Sequence, residues 1–530
     1  MRLPRHLLML LGLSVLSSLA QGKNLVVCTE SSPEGFDIVQ FTTAVTADAA
    51  AETVFNRLVG FRPGTTEVVP MLAESWEISS DGLAYAFHLR KGVKFHHTAY
   101  FTPTREMNAD DVLWSFQRQL DPKHPWHRSS KVGYPYFESM DFKALLSRVE
   151  KRDEHTVVFT LSRREAPFLV DLAMAFTSIY SAEYADQLLK AGEQEKLNSQ
   201  PIGTGPFVFS RYSKDAQVRF KAHPDYFLGK PPSDGLVFAI TPDNNVRLQK
   251  LRANECQVAL YPRPDDVAKL KTEAALKVAE IAAMTTGYIA LNTSKPYLSD
   301  VRVRQAINLA FDKQAYVDAL FGKGNAVPGV TPYPATLLGY NKGLSNPARD
   351  LSKARALLKE AGVADGTVLT LFTRNGGGAT NPNPMLGAQM LQADLAQIGL
   401  KVDIRVMEWA EMLRRAKSGE HDMVSAGWAG DNGDPDNFLT PMLSCEAAKN
   451  GENYARWCNR EFQTLIDQAR TGTEPAHRAT LYEQALAIFV REAPWITLAH
   501  PKMFTAMRST VEGYTISPLS NNNFATTQVK

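Results

Sequence analysis

Between residues 367 and 436 the chain alternates two hydrophobic periods in a fixed order, and no other stretch restricts the fold so tightly. TVLTLFTR (367–374), KVDIRVM (401–407) and HDMVSAGW (421–428) carry the β-branched and apolar residues that strands favour. Asn383 stands as an N-cap with Pro384 at the first helical position, and the predicted helix runs to Ile398, where Gly399 stops it. EWAEMLRRAKSG (408–419) reads as a second helix. Helical crossovers make successive strands parallel, so all three carboxyl ends share one edge. Ligands of open α/β sheets bind beyond that edge. Three loops therefore converge there: NGGGATNPN (375–383), Met407-Glu408-Trp409 and GDNGDPDN (430–437).

The run Gly376-Gly377-Gly378 invites comparison with a phosphate cradle. A nucleotide loop needs GxxxxGK[ST], whose Lys and hydroxyl handle phosphate and magnesium. Here Ala379 and Thr380 follow Gly378, and no Lys does. A dinucleotide fingerprint opens a helix directly, whereas this helix starts six residues later. The loop reads as a ligand rim or a plain surface loop, and not as a nucleotide site.

GDNGDPDN does not fit a calcium loop: counted from Asp431, position 3 is Gly433 and position 12 is Met442. It is either a solvated turn or a device that aims one carboxylate into a cleft to hold a cation while Asp434 and Asp436 shape the turn. His96-His97 lie at a predicted strand end and face opposite ways, so they do not chelate one metal easily; a solvated turn is the preferred reading. Trp409 and Trp428 stand at strand ends on the rim and are read either as core or as cleft lining. No GxSxG, no HExxH and no cysteine beside a suggestive partner is present, so binding is expected rather than catalysis, with no cofactor and no metal. An exported peptide hydrolase is the alternative of a different class.

The chain opens MRLPRHLLMLLGLSVLSSLAQGKNL, a positive start, an apolar run to about Ala20 and small residues at cleavage spacing, which reads as a secretory signal peptide over 1–22. Removing it takes away Arg2 and Arg5 and leaves 508 residues, with Lys+Arg equal to Asp+Glu at 56. Balanced charge argues against nucleic-acid binding. That length implies two or three folding units. No later apolar run reaches membrane-spanning length, so no stable membrane insertion is expected. The four cysteines of an exported chain suggest disulfides. Cys445 with Cys458 would close a short loop, and Cys28 would then pair with Cys256 across a long one; four buried free thiols is the other reading.

Elsewhere KNLVVCTE reads as a first strand and TADAAAETVFNRLVGF (46–61) as an amphipathic helix. From Pro70 to about Thr160 short strands dominate, YAFHLR, VKFH and HTVVFTLSR, interrupted by a helix that Asn108 caps, with Asp110 and Asp111 in its first turn. PIGTGPF (201–207) and the stretch 283–295 are plausible boundaries, and Ser299 or Asp300 caps a long helix after the second.

ESSPEGFD, LAESWEISSDGLAYAFHLRKGVKFH, NADDVLWSF, PIGTGPF, DVRVRQAINLAFDK and GWAGDNGDPDNF together resemble the periplasmic dipeptide-binding proteins of Gram-negative bacteria, in family order from about Lys23 to the C-terminus. The resemblance implies an α/β, two-lobed periplasmic-binding-protein fold with a hinge and an inserted β-rich subdomain. Lobe I is then 23–54, 206–282 and 501–530, the insert 55–205, and lobe II 283–500. It implies a monomer in the periplasm that delivers a peptide or peptide-like ligand to the permease of an ABC importer. It also implies the pairs Cys28–Cys256 and Cys445–Cys458, and a ligand ammonium held by Asp431 beside Trp409, Trp428 and the main chain near Thr42 and Thr43. Relatives of this fold also carry haem, glutathione, nickel chelates and peptide-like antibiotics.

The sequence departs from the family at the glycine loop. Relatives place a carboxylate-clamping Arg and then a Tyr where this chain has Gly378 and Thr380. Arg374, four residues earlier, or the glycine N–H groups are the candidate replacements. A wider, less cationic end is expected, suited to longer, blocked or bulky peptides.

Overall fold

The computed structural model describes residues 24–530 apart from 131, 375 and 451, so the signal-peptide reading of 1–22 lies outside the described residues. One twelve-stranded sheet runs through the molecule. From one edge its order is Lys401–Met407, Val368–Arg374, Met423–Ala429, Thr285–Leu291, Trp495–Arg508, Val258–Leu260, Asn24–Thr29, Gly235–Ile240, Gln217–Ala222 and Phe207–Ser213. Leu276–Ala282 and Ala326–Pro328 also pair with Trp495–Arg508. Val368–Arg374 pairs in parallel with both Lys401–Met407 and Met423–Ala429, as the crossover argument requires.

The strand Trp495–Arg508 belongs to two lobes. Its start pairs with Thr285–Leu291 and its end with Leu276–Ala282. The chain thus crosses between lobes at Ala283 and returns near Pro501, where Ala283 N donates to Pro501 O at 3.1 Å. Two crossings side by side leave the lobes few covalent constraints, the arrangement that permits hinge motion.

The cores divide the same way. One runs from Leu25 to Phe524 and gathers the first strand, the segment 55–205 and the C-terminal tail. Two more lie on opposite faces of the second lobe's sheet. Along Thr285–Leu291, Ile289 and Leu291 enter one and Tyr288 and Ala290 the other, as strand alternation dictates. Pro384–Ala396 covers the first face through Leu391 and Leu395, and Trp409–Lys417 the second through Met412 and Ala416.

The segment 55–205 holds an antiparallel sheet of Ala73–Ile78, Ala84–Leu89, Thr156–Leu161 and Leu146–Asp153, and the short pair Val59–Phe61 and Val68–Pro70. Helices Ala109–Leu120 and Ala182–Ala191 pack with it. Asn108 caps the first of these in a full capping box with Asp111. Asp300, rather than Ser299, caps Val301–Ala310. Asn383 caps Pro384–Ala396, two residues shorter than expected.

Three expectations fail. The helix predicted over 46–61 is only Ala44–Ala49, followed by turns and the strand Val59–Phe61. Gly205 N and Phe207 N take the carbonyls of Val54 and Thr53 at 2.8 and 3.0 Å, which denies them to a helix, and the segment is buried on every side. VKFH forms no strand, because His96 N and Val93 O are claimed by Gly203 and Met107. His96 is not in a solvated turn: it is fully buried, its Nε2 lies 2.9 Å from Gly205 O, and burial holds its pKa down at about 3. His97 is exposed.

Both disulfides form. Cys28, on the first strand, joins Cys256 at a Cα separation of 5.8 Å, and Cys445 joins Cys458 at 4.6 Å. Cys28 sits one strand from Val258–Leu260, so this bond reinforces an existing parallel pairing. Among the described residues no helix is long and apolar enough to cross a membrane.

Candidate functional site

The carboxyl edge of the three parallel strands opens onto a cleft of about 730 Å³ between the lobes. Thr42, Thr43, Tyr261 and Ser520 line it from the first lobe, and Gly377, Gly378, Pro382 and Asp431 from the second. Lys502 and Met503 form its floor beside the crossing strands, and Tyr136 reaches in from the inserted segment.

Asp431 follows Met423–Ala429 and precedes the helix Asp436–Leu443. Its N–H donates to Asn437 Oδ1 at 3.0 Å, which turns the carboxylate toward the cleft. Tyr136 Oη donates to Oδ1 at 2.8 Å and Asn437 Nδ2 to Oδ2 at 3.4 Å. Among the described residues it has no cationic partner. Burial pushes its pKa up to about 6, against the pull of those two hydrogen bonds. Tyr136 titrates well above its ordinary value, chiefly because it is buried and also because it faces this carboxylate. A desolvated carboxylate held by neutral donors is a receptor for a cation.

The rest of the acidic loop is not solvated. Asn432, Asp434 and Asp436 are buried, and Asp434 accepts from Asp436 N at 2.9 Å and pairs with Arg478 at 2.9 Å. The two acids do shape the turn, and they do so while engaged with the protein.

The three glycines answer different demands. Gly376 has φ +76°, which only glycine adopts freely. A Cβ on Gly377 would lie 2.1 Å from Pro382 O. A Cβ on Gly378 would lie 2.4 Å from Arg374 Nη2. The guanidinium of Arg374 therefore occupies the space a side chain at 378 would take. It stacks on the Trp409 ring at 4.6 Å and, among the described residues, makes no hydrogen bond or ion pair. Partial burial lowers its pKa.

Of the residues singled out from the sequence, Asp431, Thr42, Thr43 and Gly378 line the cleft. Arg374, Trp409, Trp428 and Thr380 do not reach its wall. Trp409 is neither core nor cleft lining: it is exposed, and its ring carries the Arg374 guanidinium. Trp428 donates its indole N–H to Asn437 Oδ1 at 3.3 Å and so supports the Asp431 loop. Thr380 sits on Gly287 and Gly427, where its carbonyl and hydroxyl fill the places of two absent Cβ atoms. Tyr136 escaped the sequence reading altogether, since nothing in GYPYFES distinguishes a cleft tyrosine from a core one.

A family model, the bacterial extracellular solute-binding proteins, family 5, matches residues 67–450. The chain belongs to this family. It is 64% identical to di/tripeptide-binding protein 4 of Pseudomonas aeruginosa, over 99% of both chains. It is 46% identical to heme-binding protein A of Haemophilus influenzae, over 94% of this chain and 91% of that one. The solved periplasmic binding protein of Helicobacter pylori in complex with the peptide STSA superposes with a TM-score of 0.83 at 36% identity, covering 96% of this chain and 98% of that one. The α/β two-lobed periplasmic-binding-protein fold follows, and the family is one of binding proteins rather than enzymes. Within that fold this family 5 protein lines the inter-lobe cleft with the carboxylate of Asp431, which has no cationic partner among the described residues.

Proposed function

We propose that this protein captures peptides or peptide-like molecules in the inter-lobe cleft by their α-ammonium and delivers them to the permease of an ABC importer. The observation that carries the reading is Asp431: half-buried, aimed into the cleft, and hydrogen-bonded only by neutral donors. An ammonium supplies the missing opposite charge, and the fixed geometry makes the pair strong. Relatives named for di- and tripeptides support the ligand class.

At the other end of the ligand, Arg374, which lies behind Gly378 and off the cleft wall, swings in to serve the carboxylate in place of an Arg at 378. Its uncommitted guanidinium beside Gly378, stacked on Trp409, supports this role. A side chain at 378 would meet that guanidinium, so Gly378 leaves it room. A cleft of about 730 Å³ also leaves room beyond a dipeptide, which supports ligands longer or bulkier than that.

In this reading residues 23–54, 206–282 and 501–530 make lobe I, 55–205 its insert and 283–500 lobe II. The lobes close about the two crossings at Ala283 and Pro501, and the protein works as a periplasmic monomer after loss of residues 1–22. Mass spectrometry of ligand co-purified with the protein tests the assignment. Peptides with free amino termini are expected, and haem or an amine-free ligand would overturn it.

A further inference from the structure

The inserted segment touches the second lobe at a place that does not line the ligand cleft. Arg470 Nε donates to Glu165 Oε1 at 2.5 Å, and Ala166 N donates to Arg470 O at 2.8 Å. Asn432 Nδ2 donates to Asp171 Oδ1 at 2.6 Å. Thr66 packs against Gly433, where a Cβ would meet its side chain at 2.4 Å. Glu165, Asp171 and Asn432 are each at most 5% exposed. Every one of these contacts joins residues 66–171 to residues 432–470, so the only covalent route between their ends runs through the crossings near Ala283 and Pro501. Opening the cleft must break them, and closing must remake them.

We infer that residues 165–171, Asn432 and Arg470 form a latch that holds the lobes closed and sets how long a ligand stays, without touching it. The inference rests on the cleft being the ligand site. Asn432 is the residue after Asp431, so the latch also fixes the loop that carries the ammonium holder. Ligand residence is where interface contacts of this kind act, through the off-rate more than the on-rate.

Closing also gathers charge unevenly. Glu165, Asp434 and Asp436 face Asp171, whereas Arg470, Arg478 and Arg163 are already committed to Glu165, Asp434 and Asp436. Asp171 is left with an amide as its partner. Burial first, then Glu165, Asp434 and Asp436, raises its pKa well above the ordinary value, and burial likewise raises Glu165 and Asp436. Once the lobes part, water returns and the carboxyls recover ordinary values. The closed form therefore binds more protons, and a fall in pH favours closing.

The test combines peptide off-rates with small-angle scattering of the ligand-free protein, using Glu165→Gln, Arg470→Met and Asp171→Asn in the full chain. The first two are expected to raise the off-rate about tenfold, leave the on-rate within about twofold and lower the closed fraction. Asp171→Asn keeps an acceptor for Asn432, so it should stay as closed as wild type at low pH. It should flatten the rise in closed fraction as pH falls toward the ordinary carboxylate range. The wild-type slope that Asp431 contributes is read from Asp431→Asn. Melting temperatures show that each variant is folded. Folded variants with unchanged off-rates and unchanged scattering would overturn the latch. If wild type bound no peptide, the ligand assignment would fail, while the scattering would still decide whether the contact governs closure.

Discussion

Tyr136 donates its hydroxyl to Asp431 Oδ1 at 2.8 Å, a hydrogen bond from the inserted segment to the carboxyl edge of the second lobe's sheet. It supplies a neutral donor to a half-buried carboxylate and leaves the charge uncompensated. A ligand ammonium arriving there meets an acceptor already oriented from both sides, by Tyr136 and by Asn437.

Because Asp431 titrates at about 6 in the free protein and an ammonium favours its charged form, ligand binding releases a proton below that value. Affinity for a peptide with a free amino terminus should hold at neutral pH and fall as pH drops through about 6. Tyr136→Phe removes a donor to the charged form, so its midpoint should move upward. The same change should cost about 1–2 kcal/mol of binding at neutral pH. Calorimetry across pH on both proteins checks this, and coincident profiles would contradict the role given to Tyr136.

Gly378→Ala places a methyl where Arg374 Nη2 now lies. The guanidinium is the end of a flexible side chain, so the fold should survive and the guanidinium should move. Arg374→Gln removes the charge directly. Both variants should lose about 1–3 kcal/mol toward peptides with a free carboxylate and little toward their amides. An equal loss for acid and amide would place Arg374 outside the ligand's reach.

Arg118 is fully buried and pairs with Asp37 at 2.7 Å inside a ring of Trp114, Trp126, Tyr134 and Tyr180. It ties the helix Ala109–Leu120 to the N-terminal segment beside the first strand. Asp37→Asn would leave a buried cation without its countercharge and should lower stability by about 3–5 kcal/mol, read from denaturant unfolding. Cys28–Cys256 stays intact in that variant, so the disulfide does not enter the loss.

The β-α-β-α-β stretch was legible because its signals agree at every level. Strand period, Asn383 with Pro384, and Gly399 all indicate the same elements, and the parallel direction of the strands followed from topology. The cleft position of the loop 430–437 was legible for the same reason, as a stretch just past a carboxyl end, whereas Asp431 within it was singled out by the family resemblance. The segment 46–61 was not, because hydrogen bonds from Gly205 and Phe207, far along the chain, decide its backbone. Thr380 misled in a similar way. Its place is set by Gly287 and Gly427 on two other strands, and the absence of a side chain leaves no sequence pattern to read. Arg374 was visible as a candidate, but only the geometry puts its guanidinium in the space of residue 378.

The central claim is that Asp431 holds a ligand ammonium. Calorimetry of one peptide with a free and with an acetylated amino terminus, on wild type and on Asp431→Asn, tests it most directly. Wild type should bind the free peptide more tightly by about 2–5 kcal/mol, and the variant should lose that preference while keeping its fold. Equal affinity for the two peptides in wild type, or an undiminished preference in Asp431→Asn, would contradict the account.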